Sequence, residues 1–233
     1  MVDLIFDNKS LRKDFKVSMI KRAPVMFSSK NINVVSRYGG DGDIYEDLGG
    51  HKDITFPVEC NFMCEPQKVK ERFRLVKSWL NNFNDNKLIF TDDPKWFYRV
   101  VNITIDSMDV IKKRKGKFNI NFTCRGYHYS LDGEFWLPIK SGTILVNKYY
   151  KAKPLIYIEG NGLIEVTINN STFRVAVKDY VYIDSELEIV YREKTDCFNT
   201  DEGDYPVLDY GENEISFNGN IKIFEIKCRW RCE

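Results

Sequence analysis

Residues 88–129 show the clearest pattern of hydrophobic and polar positions in the chain. Apolar side chains occupy every second position from Phe118 to Cys124, and lysine, asparagine or threonine fills the positions between them. A period of two is typical of a half-buried antiparallel strand. A turn at Asp92-Asp93-Pro94 and a basic run at 112–117 interrupt the apolar pattern. The segment therefore predicts a short strand, a turn and a long β-hairpin over residues 96–129 with a basic tip.

A second segment has the periodicity of a helix. It starts at Pro66, a residue that suits the first helical turn. Apolar residues then recur every three or four positions, with Trp79 beside them: Val69, Phe73, Val76, Leu80 and Phe83. The pattern predicts one amphipathic helix over residues 66–83, with this stripe packed on a sheet of the same domain.

The remaining segments are short alternating runs separated by turn-forming residues. The loop at 37–43 and the pair Gly49-Gly50 punctuate the N-terminal part, and a shift in composition near 130–140 suggests a boundary. After residue 154, Gly160-Asn161-Gly162 and Asn169-Asn170 have the composition of hairpin turns. We expect a mainly β protein with two domains. Residues 1–134 would form a β-sandwich carrying the helix and the hairpin, and residues 135–233 a second β-sandwich.

Composition argues against several function classes. The 233 residues include 35 basic and 34 acidic side chains, so a formal charge of +1 does not favour a general nucleic-acid or membrane-surface binder. No run approaches the roughly 18 apolar residues of a membrane span. The first residues carry acids where a secretory signal has a basic region and an apolar core, so we expect assembly in the cytoplasm.

Five of the six cysteines lie in phase with apolar strand residues, which predicts free thiols packed in the core. A zinc site built from Cys60, Cys64, Cys228 and Cys232 is the alternative, but its spacings lack the close pair of a zinc knuckle. Neither histidine, His51 nor His128, belongs to a catalytic motif. Asp41-Gly42-Asp43 lacks the further ligands of a calcium loop. We therefore predict no enzyme, no catalytic residue, no cofactor and no metal.

Two charged clusters of opposite sign are the candidate functional residues. The acidic one consists of Asp41, Asp43, Glu46 and Asp47, and the basic one of Lys112, Lys113, Arg114 and Lys115. A solvated surface explains either cluster taken alone. In a ring, however, one patch meets a different patch on the next copy, so the two clusters could form a ring interface. The tyrosines of the second domain leave another reading open, namely a carbohydrate-binding module or an accessory β-sandwich adhesin.

Taken in order, short motifs along nearly the whole chain resemble the distal tail protein (Dit) family of long non-contractile-tailed bacteriophages. The loop beginning Arg37-Tyr38-Gly39-Gly40 resembles that family's glycine-rich turn, although Tyr38 and a second glycine stand where relatives often have Pro-Gly-Arg. The other matching pieces keep the family's order: Ser78-Trp79-Leu80, Asp92-Asp93-Pro94, Trp96-Phe97-Tyr98, Gly116 to Cys124, Gly160-x-Gly162, Ile183-Asp184-Ser185-Glu186, Gly203-x-x-Pro206, and Arg229-Trp230-Arg231.

The resemblance implies a structural protein of the virion. Its N-terminal domain would form a homo-hexameric ring, and its C-terminal domain would have a galectin-like fold facing outward. The ring would join the tail tube protein to the tail-tip hub and tail-associated lysin, with a receptor-binding protein as a further candidate partner. DNA would pass through the lumen without specific binding. No membrane is implied, and the protein would lie at the phage tail tip after assembly in the bacterial host cytoplasm.

Overall fold

A computed structural model describes residues 2–193, 195–196 and 201–233. It contains two compact units, one running to His128 and including Glu233, the other from Tyr129 to Cys232. The sequence predicted the boundary between the two domains a few residues later, after residue 134. Most of the described chain is β-strand, and the predicted mainly β fold class is confirmed.

The first unit contains one principal sheet, a separate two-stranded sheet and two helices. The element bounds are β1 Leu4–Phe6, β2 Lys9–Ser10, α1 Leu11–Phe15, β3 Ser18–Lys21, β4 Lys30–Ser36, β5 Asp43–His51, β6 Ile54–Met63, a 3₁₀ turn Pro66–Lys68, α2 Val69–Asn81, β7 Lys87–Phe90, β8 Trp96–Ile105, β9 Asp109–Ile111 and β10 Lys115–Ser130. The principal sheet has the strand order β2-β1-β7-β8-β10-β6-β3, and β9 pairs with β10.

The pairing of β10 with β6 forms the centre of this sheet. The register places Phe118 opposite Cys60, Ile120 opposite Val58, Phe122 opposite Phe56, and Cys124 opposite Ile54. All of these side chains are buried, as the alternation in the sequence predicted. The basic hairpin tip is also where the sequence placed it, because β9 and β10 are joined by the turn at residues 112–114.

Helix α2 covers this core with the predicted stripe. Val69, Val76 and Leu80 are buried, while the ring of Phe73 is half-buried with its centroid 5.2 Å from that of Phe118. Trp79, expected only to flank the stripe, is buried as well. Pro66 starts a 3₁₀ turn rather than the helix itself, and α2 ends at Asn81. The structure also adds α1, a single helical turn that Ser10 caps by accepting a hydrogen bond from the Lys13 amide at 2.8 Å.

The second unit is built on three long strands. Its elements are a 3₁₀ turn Leu131–Glu134, β11 Leu137–Pro138, β12 Thr143–Asn147, β13 Leu155–Ile168, β14 Ser171–Asp184, β15 Ile189–Arg192, β16 Thr195–Asp196, β17 Asp201–Glu202, β18 Gly211–Lys227 and β19 Arg231–Cys232. The strand order is β11-β18-β13-β14-β15-β16, with β12 on β18 and β17 on β14.

The hairpin turn predicted at Gly160-Asn161-Gly162 is wrong, because β13 continues through it. The register between β13 and β18 shifts at this level, Asp179 opposite Gly160 has a φ of 66°, and Gly219 has a φ of 126°. All three strands therefore bend together through a bulge. A Cβ at Gly160 would collide with the carbonyl oxygen of Asn220, which is why glycine occupies this bend. The turn predicted at Asn169-Asn170 does join β13 to β14.

The bend lets the same strands form both layers of a sandwich. The first half of β13, Leu155–Gly160, lies beside the parts of β18 and β14 that pair with β11 and β15. The second half, Glu165–Ile168, lies beside the parts of β18 and β14 that pair with β12 and β17. Residues of both halves belong to one buried apolar cluster. The core of the second unit thus lies between two halves of a single curled sheet.

A buried ion pair joins two segments of the second unit that are far apart in sequence. The Arg229 guanidinium donates two hydrogen bonds to the Asp184 carboxylate, from Nη1 to Oδ1 at 2.7 Å and from Nη2 to Oδ2 at 2.9 Å. The backbone amides of Glu186 and Leu187 donate to the same Oδ1. Both residues belong to motifs on which the family resemblance was based, so these motifs are part of the fold's framework.

Cysteines line both cores as expected. Cys60, Cys124 and Cys228 are buried free thiols and Cys64 is a half-buried one, whereas Cys197 lies outside the described residues. Burial raises the pKa of the Cys60 and Cys228 thiols to about 12, and also raises that of Cys124. These thiols are therefore protonated and poor nucleophiles at neutral pH.

Candidate assembly interface

Strands β4 and β5 form a two-stranded hairpin, here called the arm, that pairs with no other strand in the described chain. Its tip spans residues 37–42, where Gly39 and Gly42 have φ values of 72° and 76°. A strand rises about 3.3 Å per residue, so the arm reaches roughly 20 Å from its base. An isolated two-stranded hairpin is at best marginally stable in water.

The arm exposes an unusual number of large apolar side chains. They are distributed over both strands and the tip: Ile32, Val34, Val35, Tyr38, Ile44, Tyr45 and Leu48. Paired residues of an antiparallel ribbon point to the same side, so Val34 and Tyr45 share one face and Val35 and Ile44 share the other. Contiguous exposed apolar surface in a soluble protein marks an interaction site.

The predicted acidic cluster lies on this arm. Asp41 belongs to the tip, and Asp43, Glu46 and Asp47 to β5, all of them exposed. Asp47 has a local role too, because its Oδ1 accepts a hydrogen bond from the Gly49 amide at 2.9 Å, while its Oδ2 lies 4.0 Å from the Lys30 ammonium. The remaining carboxylates add charge to a surface that is otherwise largely apolar.

The base of the arm is fixed to β10. The Ser28 hydroxyl donates to the Lys52 carbonyl at 2.9 Å, and that hydroxyl and that carbonyl both lie against Gly126. His51 is buried beside them, with Nδ1 2.9 Å from the Tyr127 hydroxyl and Nε2 3.2 Å from a Glu233 carboxylate oxygen. The sequence placed His51 in a loop, whereas the structure makes it a packing residue at the root of the arm.

The predicted basic cluster occupies the turn between β9 and β10. Lys112 and Lys113 adopt φ values of 49° and 56°, and with Arg114 they are exposed, whereas Lys115 is half-buried. No ion pair connects this cluster to the acidic one within the described part of the chain. The two clusters are thus separate surfaces of the same unit, as a head-to-tail interface would require.

The histidines of the described chain are packing residues. His128 is half-buried against Tyr98, with ring centroids 4.2 Å apart, and burial lowers its imidazole pKa. Among the described residues, no three histidine, cysteine or acidic side chains come together as a metal site would need. No helix in that same portion is long and apolar enough to cross a membrane.

Some of the tyrosines that could stack on sugars form a row on one face of the second unit. Tyr157, Tyr182 and Tyr191 follow one another across neighbouring strands, with ring centroids 5.0 and 5.2 Å apart, and Trp136 extends the row. The rings of Tyr182 and Tyr191 are stacked on each other at 17°. Because those faces cover one another, they do not present a flat platform to a ligand.

The sequence analysis found the charged residues of the arm but missed its apolar ones. Alternation along β4 and β5 looks the same whether a strand is half-buried in a sheet or stands free. The available signal was the combination of two short alternating runs around a loop with three glycines and two aspartates. That combination identifies a hairpin, although only the structure shows that nothing in the described chain covers it.

Comparisons with known proteins agree with these features. Residues 12–124 match the family model of the phage tail protein RIFT-related domain, a segment that includes the arm and α2. The chain also superposes on the crystal structure of the Dit protein (gp 19.1) of phage SPP1, described as a paradigm of the hub adsorption apparatus in phages that infect Gram-positive bacteria. That match has a TM-score of 0.68 at 14% sequence identity, and covers 97% of this chain and 98% of the SPP1 chain. A comparison with curated proteins found no match.

Proposed function

We propose that this chain, whose residues 12–124 belong to the phage tail RIFT-related family and whose fold is that of a distal tail protein, forms a hexameric ring in the tail tip of a long-tailed bacteriophage. The ring joins the tail tube to the tail-tip hub and its tail-associated lysin, and receptor-binding proteins attach at its outer side. DNA crosses the lumen without sequence-specific contacts. The protein acts as a structural part of the virion, assembles in the host cytoplasm, and catalyses no reaction.

The observation that carries this proposal is the exposed arm. Seven large apolar residues on a free-standing ribbon are unfavourable in a monomer, because a ribbon of this kind gains little stability from its own pairing. Burial against a second chain would recover about 25 cal/mol for each Å² of apolar area. The arm therefore supports a protein whose working form is an assembly.

The placement of charge supports a cyclic assembly rather than a two-fold dimer. A ring needs two different complementary patches on each copy, and the acidic arm and the basic β9–β10 turn are separate patches of opposite sign. Exposed ion pairs contribute only about 0–1 kcal/mol each, so they would fix the register while apolar contact supplies most of the affinity. Residues 1–134 are expected to carry these contacts.

The second unit fits the outward-facing role. Its curled sheet forms a closed apolar core of its own, consistent with a galectin-like domain that adds to the ring without holding it together. The stacking of Tyr182 on Tyr191 covers the facing sides of those two rings, which leaves less aromatic surface for the carbohydrate-binding alternative. We therefore assign the second unit to contacts with other tail proteins.

The proposal is tested by measuring the mass of the purified full-length protein by light scattering at micromolar concentration. We expect a species of six times the monomer mass. The double variant Val34→Thr/Tyr45→Thr removes apolar area from one face of the arm while keeping strand-forming residues, and should shift the population toward monomer. Its matched control is Ile144→Thr/Val146→Thr on β12, which removes similarly exposed apolar side chains from the second unit and should leave the ring intact. A parent that is monomeric under all conditions would refute the proposal.

A further inference from the structure

An open cavity lies between α1 and α2 on the first unit, away from the charged clusters of the arm and the β9–β10 turn. Its volume is about 460 Å³, within the range of about 300–1,000 Å³ typical of ligand pockets. Phe15 and Trp79 line it with their rings stacked at 4.2 Å, and Leu75 lines it with 58% of its surface exposed. Phe15, Leu75 and Trp79 thus give the cavity an apolar wall.

Positive charge surrounds this apolar lining. Lys9, Lys16 and Arg72 reach the cavity, whereas Asp14 is the one carboxylate among its lining residues. Asp14 is already engaged, because it accepts a hydrogen bond from the Ser10 amide at 2.7 Å. Neither Lys16 nor Arg72 forms an ion pair within the described part of the chain. The cavity thus favours an occupant that combines an aromatic group with negative charge.

The tip of the arm presents an aromatic ring between charges of both signs. Tyr38 is fully exposed at the turn, Arg37 precedes it, and Asp41 and Asp43 follow it within five residues, so carboxylates outnumber the guanidinium. The arm holds the tip away from its own base, so the aromatic ring of Tyr38 can reach another copy. Tip and cavity are different surfaces of one unit, which is the arrangement that a closed ring repeats at every interface.

We propose that Tyr38 of one copy inserts into the α1–α2 cavity of the next copy, where Asp41 and Asp43 lie near the lysine and arginine side chains at its mouth. This inference rests on the proposed ring and names the contact that forms it. Tyrosine is a common hot-spot residue because its ring fills a pocket while its hydroxyl finds a partner. In this refinement of the proposed ring, the tip of the arm meets the cations at the cavity instead of the basic β9–β10 turn, which becomes the rival landing site.

Cross-linking between copies tests the contact directly. The full-length double variant Tyr38→Cys/Leu75→Cys, treated with diamide, should give a ladder of covalent multimers on a non-reducing gel. Each single variant and the parent measure the background from the native cysteines, of which Cys60, Cys124 and Cys228 are buried and Cys64 and Cys232 are half-buried. The rival variant Tyr38→Cys/Lys113→Cys should give no more product than its single variants, because a disulfide forms only when the two Cβ atoms approach to about 4 Å.

Ring affinity provides a second, independent measurement. Tyr38→Ser should raise the ring dissociation constant at least about tenfold, as expected for loss of a hot-spot side chain, whereas Tyr38→Phe should stay near the parent value. The matched control is Tyr210→Ser, which removes an exposed tyrosine from the second unit.

The outcomes separate this inference from the proposed function. Suppose that the parent forms a ring. If Tyr38→Ser then assembles as well as the parent, or if only the Lys113 variant cross-links, the α1–α2 contact is overturned and the ring is not. A parent that never exceeds monomer mass would refute the ring itself.

Discussion

Removal of the Asp184 carboxylate should be among the most damaging single changes in the second unit. The Asp184→Ala variant leaves the Arg229 guanidinium largely buried without its bidentate partner, and leaves two backbone amides without their acceptor. Breaking a buried ion pair by removing one member costs about 3–5 kcal/mol. A Glu186 carboxylate oxygen remains 3.6 Å from the same guanidinium and offsets part of this loss, so we expect a value near about 3 kcal/mol.

The effect is measurable by thermal unfolding of the full-length protein with tryptophan fluorescence and circular dichroism as probes. For a unit of about 100 residues, each kcal/mol corresponds to a melting shift of about 4–8 °C, so the second transition should fall by more than about 12 °C. The matched control is Glu165→Ala, which removes an exposed carboxylate 2.8 Å from Arg174 on the neighbouring strand and should barely move the midpoint. An Asp184→Ala variant that unfolds at the parent's midpoint would refute the assigned role.

The same pair predicts how stability depends on pH. Burial raises the pKa of the Asp184 carboxyl, but the hydrogen bonds and charge of Arg229, aided by the Leu187 and Glu186 amides, outweigh it and hold the pKa below its usual range. A depressed pKa stabilises the fold above the unfolded value of about 3.9, and this contribution is lost as the pH falls through the folded pKa. The stability gap between parent and Asp184→Ala should therefore narrow as the pH is lowered below about 4.

Three further predictions concern the first unit and the thiols. Leu80→Ala should lower the free energy of unfolding by about 2–5 kcal/mol because it opens a cavity under α2, whereas Leu75→Ala on the exposed face of the same helix should stay within about 0.5 kcal/mol; equal effects in urea unfolding would contradict the assigned helix face. Gly126→Ala should speed amide hydrogen exchange in β4 and β5 while β6 remains protected, because the new Cβ would lie 2.5 Å from the Lys52 carbonyl at the base of the arm. The buried thiols should react with Ellman's reagent at pH 8 only after denaturation, when an unreduced sample should titrate six; fewer than six would indicate a disulfide.

The sequence was most informative where a local pattern decides the structure. The period of two from Phe118 to Cys124 and the helical stripe of α2 determine which face of each element is apolar, and the structure buries those faces. These predictions hold because the partner of such a face is simply the nearest core, so no knowledge of distant pairing is needed.

The sequence was less informative where pairing between distant segments determines the structure. A run such as Gly160-Asn161-Gly162 has the composition of a hairpin turn, but β14 and β18 continue alongside it on both sides, so the chain bends and the strand persists. The cavity between α1 and α2 was also missed, since α1 is too short to leave a periodic signal. The Asp184–Arg229 pair spans 45 positions and leaves no local trace.

The position of β18 in the second sheet has a consequence for biosynthesis. This strand pairs with β11, β12 and β13, so the centre of the sheet contains a segment that is synthesised after nearly all of its neighbours. The second unit cannot complete its core until about residue 227 has left the ribosome, whereas the principal strands of the first unit are available much earlier. A premature stop codon between β17 and β18 should therefore yield a first unit that folds without the contact of Glu233 to His51, and an aggregation-prone remainder. Pulse proteolysis of the truncated product would reveal this difference.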